Sequence, residues 1–85
     1  MTITITGLNT PLDPEMAKGL YGGIVRGIKH RITEASSPFL SDFYEREKPQ
    51  LEMMRVLSHF LGWEAGVVSG DFRAFMVMLA DRAPL

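Results

Sequence analysis

Apolar and polar positions trade places one by one in Thr2-Ile3-Thr4-Ile5-Thr6. That is the period of a half-buried strand, and both residue types favour strands. Gly7 ends the run, and Asn9-Thr10-Pro11-Leu12 reads as a turn. The period then changes. Placed at about 100° per residue, Met16, Ala17, Leu20, Tyr21, Ile24, Val25, Ile28 and Ile32 share one wide arc. Lys18, Arg26, Lys29 and His30 fall on the opposite arc. Asp13 is placed to cap the segment, Pro14 suits the first helical position, and Glu15 suits the positive end of the helix dipole. The pattern predicts a helix over residues 14–34. Arg31 lies within the apolar arc, near the C-terminal end where the dipole favours a cation.

Ser36-Ser37-Pro38 closes that helix and opens another, with Ser37 as N-cap and Pro38 in the first turn. Phe39, Leu40, Phe43 and Tyr44 form one face of a predicted helix over residues 38–48, with Asp42 and Arg46 spaced as an exposed pair. Pro49 is expected to break the chain and start a helix over residues 50–61. There Met53, Met54, Val56, Leu57, Phe60 and Leu61 take one side, and Glu52, Arg55 and His59 the other. Gly62 is a natural C-cap. Residues 63–70 read as a loop or short extended piece. Ser69 or Asp71 then caps a helix over residues 71–82, in which Phe72, Phe75, Met76, Leu79 and Ala80 face one way while Val77 and Met78 point elsewhere. A helix apolar nearly all round, in so small a chain, is expected at an interface. The fold class is therefore mainly α. It is a single domain over residues 1–85, a bundle of three to four helices with a short N-terminal β-strand at residues 2–6. A lone strand leaves backbone groups unpaired. The internal candidate at residues 65–69 is short, so pairing with a second copy about a twofold axis is expected.

Gly19, Gly23 and Gly27 stand four apart along one border of the first helix, with Gly22 beside them. A glycine in a helix interior costs about 1 kcal/mol relative to alanine, so such a ladder implies that something approaches more closely than a Cβ allows. A helix of this chain or of a partner is the expected neighbour. A rival reading breaks the helix at Gly22-Gly23.

Composition narrows the chemistry. The 85 residues include no cysteine, which excludes disulfides, thiolate metal sites and thiol nucleophiles and leans towards the cytoplasm. The N-terminus has no basic region or long apolar run and is not expected to be a signal peptide. No apolar run approaches the roughly 18 residues of a membrane span, so no membrane partner is expected. Net charge is −1, which argues against a generic polyanion binder. The cations are nonetheless grouped: residues 16–33 carry Lys18, Arg26, Lys29, His30 and Arg31 without an acid, and in residues 42–52 the acids Asp42, Glu45, Glu47 and Glu52 outnumber the bases Arg46 and Lys48.

Catalytic and metal constellations are thin. His30 and Glu34 lie one turn apart, and His59 could join Glu52 or Asp71, but nothing completes a ligand set. Adjacent Ser58 and His59 diverge on a helix and cannot pair as nucleophile and base. No phosphate loop is present, and Gly22-Gly23-Ile24-Val25-Arg26-Gly27 lacks its Lys-Ser/Thr ending. No enzyme, cofactor or metal is expected.

The expected function is a small non-enzymatic protein-binding module: an adaptor, regulator or inhibitor, in a size class that includes phage and mobile-element proteins. Its six methionines suit adaptable apolar surfaces. It is expected to self-associate through Gly19, Gly23, Gly27, Trp63, Val77 and Met78. The alternative is nucleotide or nucleic-acid binding at Lys18, Arg26, Lys29, His30 and Arg31, with Tyr21 as a stacking face.

Overall fold

A computed structural model describes residues 12–82 of the chain, and the predicted strand at residues 2–6 lies outside them. The described residues form three helices and no strand: α1 (Pro14–Glu34), α2 (Leu40–Leu61) and α3 (Ala65–Arg82).

α1 has the predicted bounds. Asp13 caps it, its Oδ1 accepting the Met16 N–H at 2.8 Å, and Pro14 opens the first turn. The helix runs unbroken through Gly22-Gly23. Core contacts on both sides of the glycines, from Ala17 and Tyr21 before and Ile28 and Ile32 after, hold it helical. This offsets the poor propensity of the segment.

α2 corrects the prediction of two helices. Pro49 sits inside one continuous helix instead of between residues 38–48 and 50–61. Proline removes the hydrogen bond to the carbonyl four residues back, here that of Glu45. The buried positions Phe43, Glu47, Leu51, Met54 and Ser58 nevertheless keep one helical register across it. Pro49 itself is exposed, so its ring faces water and the tertiary contacts outweigh its local cost. The start also moves. Phe39 takes the cap position without a side-chain bond, while Ser37 accepts the Phe39 N–H at 3.3 Å and donates to Asp42 Oδ2 at 2.6 Å. Gly62, at φ 71°, ends the helix in the left-handed region. The Gly62 N–H reaches the His59 carbonyl, and the Trp63 N–H the Ser58 carbonyl, a double closure that glycine permits.

α3 begins at Ala65, earlier than the predicted 71, so Ser69 and Asp71 are helical residues and not caps. Gly66, Val67, Val68 and Gly70 are poor helix formers, which is why the segment reads locally as a loop. Val68 and Phe72, however, pack on the core at the same spacing that brings in buried Phe75 and Leu79.

Two contacts set the direction of packing. The Tyr21 hydroxyl donates to Asp71 Oδ2, and Arg82 Nη1 donates to the Ile32 carbonyl. Both join α1 to α3 in the same sense, so these helices run parallel, with α2 antiparallel to them. Phe43 meets Phe75 with centroids 6.0 Å apart. Around this pair the core gathers Ile28, Ile32, Leu51, Met54 and Leu57. Full burial of each such side chain contributes about 1.5–3 kcal/mol.

Candidate interaction surface on helix one

The core face of α1 centres on Tyr21 and Ile28, which turns its glycine border towards solvent. Among the described residues, nothing lies within 4 Å of a Cβ placed at Gly19, and at Gly23 only Arg26 Nη2, at 4.0 Å. The expectation that a helix of the same chain presses on this border is therefore corrected. Where the border is covered, the cover is arginine. A Cβ at Gly22 would stand 3.1 Å from Arg26 Nη1, and one at Gly27 would stand 3.2 Å from Arg31 Nη1. Gly27 thus makes room for a guanidinium that lies along the helix on its way to α2.

That guanidinium is committed. Arg31 Nε donates to both oxygens of Glu47, at 3.0 and 2.8 Å, and Nη2 donates to Oε1 at 2.8 Å. Arg46 Nε adds a further bond at 2.9 Å, its guanidinium 5.9 Å from the Phe43 ring centroid. The Glu47 carboxylate is almost wholly buried, at 1% exposure, while the Arg31 side chain is 42% exposed. Burial pushes the Glu47 carboxyl up, but the hydrogen bonds and charges of Arg31 and Arg46 more than offset it and hold the group below the usual carboxylate range. Arg31 is therefore an internal ion-pair residue, not an open anion contact. Glu47 was legible: it shares a register with Phe43, Leu51 and Met54, as Arg31 does with Ile28 and Ile32. A lone acid and a lone base on two apolar faces point to each other.

The remaining predicted cations stay outside. Lys18 Nζ is 3.7 Å from Glu15 Oε1, Arg26 folds back over Gly22, Lys29 is half-buried and His30 is exposed. Trp63 is half-buried, packed edge-on against Tyr21 with centroids 4.9 Å apart, so it roofs the core. Burial, then the hydrogen bond and charge of Asp71, push the Tyr21 phenol above its ordinary value. Tyr21 is thus a core residue and offers no stacking face. Val77 is exposed, whereas Met78 is half-buried and packs against the core.

What is left open on α1 is an apolar edge. Met16 and Leu20 are 43% and 39% exposed. They lie one turn apart and alternate with uncovered Gly19 and Gly23. Glu15 and Arg26 flank the edge on one side by helical spacing. The edge therefore presents two apolar projections and two notches where no side chain stands.

Among the described residues, no three histidine or carboxylate side chains converge to hold a metal ion, and no helix is long and apolar enough to cross a membrane. No protein family, curated protein or solved structure matches the chain.

Proposed function

We propose that the chain is a small non-enzymatic protein-binding module that assembles through the open edge of α1, with a second copy as its first partner. The observation that carries this reading is the alternation of Met16 and Leu20 with Gly19 and Gly23, exposed while the core is closed without them. An antiparallel approach of two α1 helices about a twofold axis between Gly19 and Leu20 sets Met16 against the partner's Gly23 and Leu20 against the partner's Gly19. Each projection meets a notch. A self-complementary patch of this kind is what a closed dimer requires, and glycine notches let helices approach closely.

The competing reading, anion or nucleic-acid binding on the cationic arc, is less favoured. Arg31 is engaged by Glu47 and Lys18 stands beside Glu15, which leaves few cations for a phosphate chain.

Sedimentation equilibrium tests the proposal. The expected result is a dimer at micromolar concentration that Leu20→Asp dissociates without loss of helicity. A wild-type monomer throughout the accessible concentration range overturns the reading.

A further inference from the structure

The last turns of α2, the turn after it and the first two turns of α3 line a pocket of about 410 Å³. That is within the size of small-molecule sites. Trp63 and Phe72 form apolar walls, and Arg55, Ser58, His59 and Ser69 supply the polar groups. Among the described residues, no acidic one lines it.

Three features define what would fit. The Arg55 guanidinium lies over the Phe72 ring, 5.3 Å from its centroid, and makes no ion pair among the described residues. With no carboxylate paired to it among the described residues, its donor fork is open to receive one. Ser58 is buried, and its hydroxyl reaches only the Arg55 carbonyl at 3.5 Å, the outer limit of a hydrogen bond. The hydroxyl keeps capacity for a stronger partner. Trp63 is held edge-on by Tyr21, so one wall is set before anything enters.

A single permanent cation beside two aromatic walls matches one negative charge carried on a flat apolar body. We propose that this pocket binds a small aromatic monocarboxylate, its carboxylate on Arg55 and its ring against Trp63 and Phe72. The inference is independent of the α1 edge, which lies on a different helix.

The probes are phenylacetate, phenylacetamide and inorganic phosphate, added to the full chain. The readouts are fluorescence of Trp63, the sole tryptophan, and amide shifts in ¹⁵N spectra. Phenylacetate is expected to saturate with Kd on the order of 1 mM, fitting for so small a ligand, with shifts centred on residues 55–72. Phenylacetamide should bind at least about tenfold more weakly, the loss of one charge-assisted pair. Arg55→Gln, at an exposed side chain, should remove the preference for the acid with circular dichroism unchanged, and Arg55→Lys should restore part of it. Equal binding of acid and amide, binding indifferent to Arg55→Gln, absence of saturable shifts, or displacement by inorganic phosphate at similar concentration would each overturn the assignment.

Discussion

Replacing Gly23 by leucine separates what happens inside one chain from what happens between two. Among the described residues, the added Cβ meets only the end of a flexible arginine, Arg26 Nη2 at 4.0 Å, which is ordinary contact. Glycine to leucine in an exposed helix interior should then gain about 0.8 kcal/mol from propensity. For a chain of this size, that is a rise in melting temperature of roughly 3–6 °C. Between chains the sign reverses. The leucine fills the notch assigned to the partner's Met16, and overpacking of this kind costs about 1–3 kcal/mol per site. With two symmetric sites, association should weaken by about 2–6 kcal/mol, roughly 30-fold or more. Urea denaturation at a concentration where the variant is monomeric gives the first quantity, and sedimentation equilibrium gives the second. A variant that is more stable and monomeric is the expected result. If it remains a dimer of unchanged affinity, the α1 edge is not the seam. If the isolated chain loses stability, some contact within the monomer needs the missing side chain, and the reading of an open edge is wrong.

Glu47→Gln keeps the side-chain shape but leaves two guanidinium groups without their anion. It should cost about 2 kcal/mol, less than the loss of a fully buried pair, because Arg31 can regain water. The folded Glu47 carboxyl lies below its ordinary value of 4.5, so its contribution is full above that pH and is lost as pH falls below it. Melting curves from pH 7 to pH 2 should show an acid limb that flattens in the variant. Pro49→Ala restores an N–H for the Glu45 carbonyl at an exposed position and should stabilise the fold by about 1–3 kcal/mol; an unchanged denaturation midpoint would contradict the account of α2. Tyr21→Phe removes the bond to Asp71 and should cost about 1 kcal/mol. Because the folded phenol is raised above its ordinary 10.0, wild-type stability should decline as pH rises beyond that value, and the variant should lose this dependence.

Local chemistry made α1 legible to the residue: Asp13-Pro14-Glu15 is a helix start whatever surrounds it, and the Ala17, Tyr21, Ile28 register needs no tertiary knowledge. Pro49 misled because proline weighs heavily in a short window, whereas the register from Phe43 to Ser58 that outweighs it spans four turns. The first turns of α3 misled in the opposite way. Gly66 and Gly70 look like loop until Val68 and Phe72 are seen to belong to one packed face. The glycine spacing on α1 was visible, but spacing does not say what occupies the vacated volume, and at Gly27 the occupant is a side chain drawn across by Glu47. The pocket was hidden for a related reason. Arg55 and His59 read as the wet side of a helix, and Ser69 as loop, until the early start of α3 brings them to one place.

The unequal anchoring of α3 has a consequence for anything that enters beside it. Asp71 and Arg82 fasten the later turns to α1, but residues 65–70 precede both anchors and contain two of the weakest helix formers. Those turns form one wall of the pocket, and among the described residues no side-chain bond ties them to α1. A guest there would complete a helix as well as fill a space. Its affinity would be set jointly by contact and by the ordering of those turns.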